Sequence, residues 1–65
     1  MTLSEEFPKQ QSRLRELIAV YEHLGPPGVV GKMMLEDVLQ RADKAASEQD
    51  IVAMVRLYKE MMECQ

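Results

Sequence analysis

The sequence has very few of the residues that cross-link small proteins. It contains one cysteine, Cys64, and one histidine, His23, among its 65 residues. One cysteine cannot form a disulfide within the chain, and this pair cannot supply the ligands of a structural zinc site. A domain of this length buries only about 60% of the surface that its unfolded chain exposes, so its stability is marginal. Dimerisation or unusually good helix packing therefore remains as the source of stability.

Long apolar runs and aromatic residues are also scarce. Tryptophan is absent, and the apolar residues are mainly Leu, Val, Met and Ala. No apolar run approaches the roughly 20 residues that span a bilayer, and the acidic N-terminal segment lacks the pattern of a secretory signal. We therefore expect a cytoplasmic protein with a reduced cysteine and no membrane contact. The six methionines indicate either a flexible core filling or an adaptable binding surface.

The charge of the chain is weakly acidic. Eight basic and eleven acidic residues give a net charge of −3, and both signs are mixed along the sequence. Binding to nucleic acid without sequence preference depends on a basic surface that neutralises phosphates, so the composition argues against a nucleic-acid partner. The alternative is a small DNA-binding transcriptional regulator of the helix-turn-helix type. Its last helix would present Glu60 and Glu63 beside Arg56 and Lys59, which is a poor recognition face.

Three segments show the spacing of amphipathic helices, and none shows the alternation of a β-strand. The spacing predicts helices over about 7–24, 29–46 and 50–63 of one domain that covers residues 1–65. The short link between the last two helices makes them an antiparallel hairpin. The predicted fold class is all-α, a compact three-helix domain with the N-terminal helix packed across a C-terminal antiparallel helical hairpin.

Turn and cap residues set the predicted boundaries. Gly25-Pro26-Pro27-Gly28 ends the first helix, because glycine suits the left-handed position after a helix end and proline cannot continue the helix. Ser47 or Asp50 caps the third helix. Pro8 is comfortable only in the first turn of a helix, so we expect either Phe7 or Ser4 to lie near the N-cap of the first helix.

Each predicted helix has an apolar stripe that we expect to face the core. The stripe of the first helix consists of Phe7, Leu14, Leu17, Ile18, Tyr21 and Leu24. The stripe of the second consists of Met34, Leu35, Val38, Leu39, Ala42, Ala45 and Ala46. The stripe of the third consists of Ile51, Met54, Val55, Tyr58, Met61 and Met62.

A few apolar residues lie outside these stripes and form the candidate interaction patch. They are Val29, Val30 and Met33 beside the Gly-Pro-Pro-Gly corner, and Val52 near the start of the third helix. Scattered exposed apolar residues are normal on a protein surface. A grouped set next to a rigid corner suits a homodimer or a protein partner.

No residue pattern indicates catalysis, a cofactor or a metal. The stretch 25–33 approaches a P-loop, but Pro26 stands at the first glycine position of that motif and Met33 at its hydroxyl position. His23 has no nucleophile or carboxylate at a recognisable spacing, and a contact with the helix dipole explains it. We expect Cys64 to lie exposed at a frayed end. The chain is therefore predicted to bind a protein and not to be an enzyme.

Two stretches carry a resemblance to a known group of proteins. They are 25–34, GPPGVVGKMM, and 50–54, DIVAM, followed by Tyr58 and Met61. In these stretches the chain resembles small uncharacterised proteins encoded in bacterial prophages, over roughly its last two thirds. The group supplies no activity or binding residues to carry over. The resemblance implies a bacterial, cytoplasmic setting and an accessory role, such as modulating a host or phage protein.

Overall fold

Three helices make up most of residues 2–64, the part of the chain that the computed structural model describes. Helix α1 spans Leu3–Leu24, α2 spans Val29–Glu48 and α3 spans Ile51–Glu63, with a short 3₁₀ turn at Pro26–Gly28. The described residues contain no strand. Helix α1 packs on both α2 and α3, which also pack on each other. The predicted three-helix, all-α architecture is therefore confirmed.

Helix α1 begins four residues before the predicted start. Thr2 is its N-cap, and the Oγ1 atom of Thr2 accepts a hydrogen bond from the backbone N–H of Glu5 at 3.3 Å. Pro8 consequently lies in the second turn, inside the helix, where it has no N–H to donate to the carbonyl of Ser4. The helix tolerates this loss because Ser4 and Pro8 are exposed, so that water reaches the carbonyl.

The corner at residues 25–28 separates α1 from α2, as the sequence predicted. Gly25 has a φ of 72° and a ψ of −145°, a backbone conformation that is open to glycine and strained for other residues. Gly28 is buried, and a Cβ atom placed there would lie 2.5 Å from the carbonyl oxygen of Tyr21. The corner therefore depends on two glycines for two different reasons, one conformational and one steric.

The link between α2 and α3 is a Schellman motif followed by an N-cap. Gln49 adopts the left-handed conformation, and the N–H of Asp50 donates to the carbonyl of Ala45 at 3.0 Å. The carboxylate of Asp50 then accepts a hydrogen bond from the N–H of Ala53 at 3.2 Å. Ser47 lies within α2 and caps nothing. Of the two predicted caps, Asp50 is therefore the correct one, and α2 runs two residues past its predicted end.

The buried core differs from the predicted one on α3. Its members are Phe7, Leu14, Leu35, Ala42, Ala45, Leu57 and Met61. The predicted stripe of α3 omitted Leu57 and included Ile51, Val55 and Met62, which are exposed. Helix α3 packs on both α1 and α2, and its buried residues are Leu57 and Met61, so its buried face is rotated from the predicted stripe. The sequence pattern could not show this, since apolar residues cover more than half of the helix circumference.

Candidate interaction surface

Exposed apolar side chains are the unusual feature of this protein. In residues 2–64, ten large apolar side chains are 49–70% exposed, whereas seven residues form the buried core. The exposed ones are Val20, Leu24, Val29, Val30, Met33, Met34, Ile51, Val52, Val55 and Met62. Single exposed apolar residues are ordinary. Because this exposed set is larger than the buried core, its distribution over the surface is significant.

The difference in helix length explains much of this exposure. At about 1.5 Å per residue, α3 is about 20 Å long, whereas α1 and α2 are about 30 Å long. The α1–α2 pair is antiparallel, as shown by ion pairing of Lys32 with Glu22 at 3.0 Å near the corner. A hydrogen bond from Gln11 to Asp43 at 2.7 Å joins the same two helices nearer their other end. Helix α3 lies against that far end, so the corner end extends beyond it.

Arg13 fixes the position at which α3 ends. Its guanidinium donates hydrogen bonds to the backbone carbonyls of Met61 and Cys64, the latter at 2.9 Å. Its Nε–H donates to the side-chain oxygen of Gln10 at 2.9 Å. A cation at the C-terminus of a helix also interacts favourably with the helix dipole. Arg13 therefore holds the last turn of α3 against the middle of α1.

We expect Arg13→Ala to lower the free energy of unfolding by about 1.5–3 kcal/mol, because it removes charge-assisted hydrogen bonds to α3. Urea denaturation followed by circular dichroism measures this change. Arg15→Ala is the matched control, since Arg15 makes an exposed ion pair with Asp43 at 3.3 Å. Exposed pairs contribute about 0–1 kcal/mol. Equal costs for the two substitutions would contradict the role of Arg13 at the end of α3.

Four apolar residues line the part of the α1–α2 pair that α3 does not reach. On α1, Val20 and Leu24 follow Arg13 at helical spacing and share the face that Arg13 turns toward α3. On α2, Val30, Met34 and Val38 follow one another at intervals of four residues. Val30 and Met34 therefore lie toward the side of α2 on which Val38 faces α3. We call Val20, Leu24, Val30 and Met34 the corner surface.

A cleft of about 390 Å³ lies between the corner surface and the end of α3. It is lined by Tyr21, Gly31, Met34, Leu35, Val38, Glu60, Glu63 and Cys64. A Cβ atom at Gly31 would lie 3.3 Å from the ring of Tyr21, so the glycine allows that ring to lie close to α2. The cleft is apolar along the helices and acidic where α3 ends.

The structure places Val29, Val30 and Met33 in the first five residues of α2 and Val52 beside the opposite end of that helix. Val30 belongs to the corner surface. Val29 and Met33 are exposed near the same corner, but on the face of α2 that points away from both other helices. Val52 is at the opposite end of α2, where it lines a second cleft with Lys44 and other polar residues. The four residues therefore do not form one continuous patch.

Sequence reasoning missed three members of the corner surface. Leu24 and Met34 were predicted to be core residues, and Val20 was not singled out. Leu24 and Met34 do lie on the inward stripes of their helices, but no part of α3 covers them. The available signal was the length of the third predicted helix, which is shorter than the other two.

A second exposed stripe runs along α3. Ile51, Val55 and Met62 lie on one line of the helix, with the half-buried Tyr58 between them. We call Ile51, Val55 and Met62 the α3 stripe. Lys59 lies beside this line and supplies a polar edge.

Cys64 is half-buried, so the prediction of an exposed, frayed thiol is wrong. Its Sγ atom lies 3.3 Å from the carbonyl oxygen of Glu60. Burial raises the pKa of the Cys64 thiol, the guanidinium of Arg13 lowers it less strongly, and Glu60 and Glu63 raise it further. The thiol is therefore mainly protonated at neutral pH, which does not favour nucleophilic chemistry.

Comparison with known proteins identified no relative of this chain. Neither the protein-family models, nor the curated proteins, nor the solved structures gave a match to the chain. The resemblance to prophage-encoded proteins therefore stays a prediction. Within residues 2–64, no helix has the length and apolar character needed to cross a membrane. The same residues contain no cluster of three or more His, Cys, Asp or Glu placed to hold a metal ion.

Proposed function

We propose that this protein works by binding other protein chains, as a small helical interaction module that catalyses no reaction. The observation that carries the proposal is the excess of exposed over buried large apolar side chains. Contiguous exposed apolar patches on folded chains commonly mark sites of protein association. Two such groups, the corner surface and the α3 stripe, lie on different parts of the molecule.

The α3 stripe has the form of a helix that docks into a groove. Counting from Ile51, its line of apolar residues follows the i, i+4, i+7 and i+11 spacing by which amphipathic helices anchor in partner proteins. The adjacent Lys59 is exposed and suits the polar rim of such an interface. We assign the α3 stripe to a partner protein that offers an apolar groove or helix pair.

The biological role that accompanies this proposal is an accessory one. The resemblance to prophage-encoded proteins supports a bacterial setting, in which the module modulates a host or phage protein. The net charge of −3 supports a protein partner over nucleic acid, because phosphate neutralisation needs a basic surface. Arg56 and Lys59 are exposed on α3, but they share its outer side with the α3 stripe and Glu63.

A capture experiment with matched variants tests the proposal. The tagged wild-type chain, a Val55→Glu, Met62→Glu variant and a Gln40→Glu control are each incubated with a nuclease-treated bacterial lysate. Gln40 is an exposed polar residue of α2, so its replacement adds charge without touching either apolar surface. Bound proteins are identified and quantified by mass spectrometry.

The expected result is one protein captured in stoichiometric amount by the wild type and the control, and lost with the α3-stripe variant. Capture that is equal for all three baits would show that the stripe is not the binding surface. Capture of nucleic acid from a parallel untreated lysate, and of no protein from the treated one, would replace the proposal with the DNA-binding alternative. Retention on duplex DNA at low salt would then be the confirming measurement.

A further inference from the structure

We propose that a second copy of this chain covers the corner surface. This inference deepens the proposed function and rests on it for the idea that exposed apolar faces bind protein. In the dimer, the corner ends of two α1–α2 pairs pack face to face. Together they form a short four-helix bundle. In this bundle, each copy packs on the part of the other copy's α1–α2 pair that α3 is too short to cover.

The helix geometry of one chain already matches half of such a bundle. Helices α1 and α2 are antiparallel and close at the corner, where a Cβ atom at Gly28 would meet the backbone of Tyr21. Their shared α3-facing side carries Leu24 and Met34 inside the groove and Val20 and Val30 at its rims. Aliphatic side chains that alternate between groove and rim interdigitate when two such surfaces meet.

The area of the corner surface fits a contact of modest affinity between two copies. A fully exposed Val, Leu or Met side chain presents on the order of 100 Å² of apolar surface. The four members of the corner surface are 54–70% exposed. Together these four side chains present about 250 Å² of apolar surface. A standard interface buries about 800 Å² per partner, of which somewhat more than half is apolar, so this face supplies about half of that apolar area, which fits a dimer of modest affinity.

The charge distribution favours a two-fold arrangement. The corner surface itself contains no charged residue, so nothing in it selects a partner of opposite charge. Of the acids at the edge of the cleft, Glu60 pairs with Arg41 at 3.4 Å and Glu63 is exposed, and both lie near the end of α3. A two-fold axis that sets the two α1–α2 pairs antiparallel to each other places these acids at opposite ends of the contact. Each acidic end then meets the electropositive N-terminal end of α2 in the other copy.

The composition of the chain also points to a second copy. Among residues 2–64, seven buried residues form a small core. Natural domains of this size are often stabilised by disulfides, a metal, association or unusually good helix packing. A single cysteine allows no internal disulfide, and residues 2–64 contain no metal-binding cluster. Burying the corner surface between copies enlarges the core without any further partner.

Sedimentation velocity of the full chain, from about 1 μM to 0.5 mM, tests the inference, since a dimer of moderate affinity dissociates within that range. We expect the wild type to approach twice the chain mass of 7.5 kDa at high concentration. Val30→Glu places two charges in the contact, and we expect it to weaken self-association by about 100-fold or more. Val30 is exposed in the first turn of α2, where an acid stabilises a helix, so this variant keeps its fold.

Gln40→Glu and Val55→Glu are the controls, and both are expected to dimerise like the wild type. A wild-type chain that stays at 7.5 kDa throughout would overturn the inference. So would a Val30→Glu variant that dimerises normally, or a Val55→Glu variant that does not. A monomeric wild type that still captures its partner through the α3 stripe would leave the proposed function intact, so the two failures are distinguishable.

Discussion

Replacing Leu57 with alanine is expected to lower the free energy of unfolding by about 2–5 kcal/mol, the usual cost of truncating a buried leucine. Leu57 is 6% exposed and belongs to the core between α1 and α2, whereas Val55, two residues earlier, is 54% exposed. Val55→Ala is therefore expected to cost no more than about 0.5 kcal/mol. Urea denaturation curves for the two variants and the wild type measure both values.

This pair of substitutions decides which face of α3 is buried. For a domain of this size, each kcal/mol lowers the Tm by about 4–8 °C, so Leu57→Ala is also expected to show a large thermal shift. The predicted stripe, which included Val55 and omitted Leu57, requires the opposite ranking. A larger loss for Val55→Ala than for Leu57→Ala would contradict the observed rotation of α3.

Gly28→Ala is expected to have the second large effect, about 2–3 kcal/mol of lost stability from overpacking. The added Cβ atom would lie 2.5 Å from the carbonyl oxygen of Tyr21, and backbone atoms cannot move aside without separating α1 from α2. The φ of Gly28 is −91°, which alanine adopts freely, so the expected cost is steric. Differential scanning calorimetry of the variant measures the loss.

Gly31→Ala is the matched control for this prediction. At Gly31 the new Cβ atom would lie 3.3 Å from the ring of Tyr21, which can shift by a few tenths of an ångström. Replacing a glycine inside a helix by alanine also gains about 1 kcal/mol of helix propensity. We therefore expect Gly31→Ala to be nearly neutral. Similar losses at both glycines would show that the close approach at Gly28 does not hold the corner together.

The sequence predicted the number of helices and most of their ends because local residues determine them. The Gly-Pro-Pro-Gly corner stops α1, and Asp50 starts α3, by interactions within a few residues. The start of α1 was wrong because Pro8 was assumed to mark a first turn. The cap at Thr2, followed by Glu5 and Glu6 in the first turn, outweighs the hydrogen bond that Pro8 cannot make.

The buried face of α3 and the corner surface could not be predicted in the same way. Both depend on how far α3 extends along the other helices, which is a tertiary property. Leu24 and Met34 have the spacing of core residues and are exposed only because α3 ends near Arg13. Val30 was predicted as an interaction residue because it lay outside the predicted apolar stripe of the second helix. The sequence therefore located the corner but not the surface that forms there.

Methionine oxidation can show whether the corner surface is open in one chain and covered by another. Met33 and Met34 are both exposed and adjacent in sequence, but only Met34 lies on the corner surface. Met61 is fully buried, whereas its neighbour Met62 is exposed on the α3 stripe. A short treatment with hydrogen peroxide converts accessible methionines to sulfoxides, which tandem mass spectrometry assigns to single residues.

In dilute protein, we expect Met33, Met34 and Met62 to oxidise at similar rates and Met61 to be protected. At a concentration where two copies associate, oxidation of Met34 should slow several-fold while Met33 and Met62 keep their rates. A Met34 rate that does not change with concentration, in the wild-type chain, would contradict the covering of the corner surface by a second copy. Rapid oxidation of Met61 in dilute protein would contradict the fold itself.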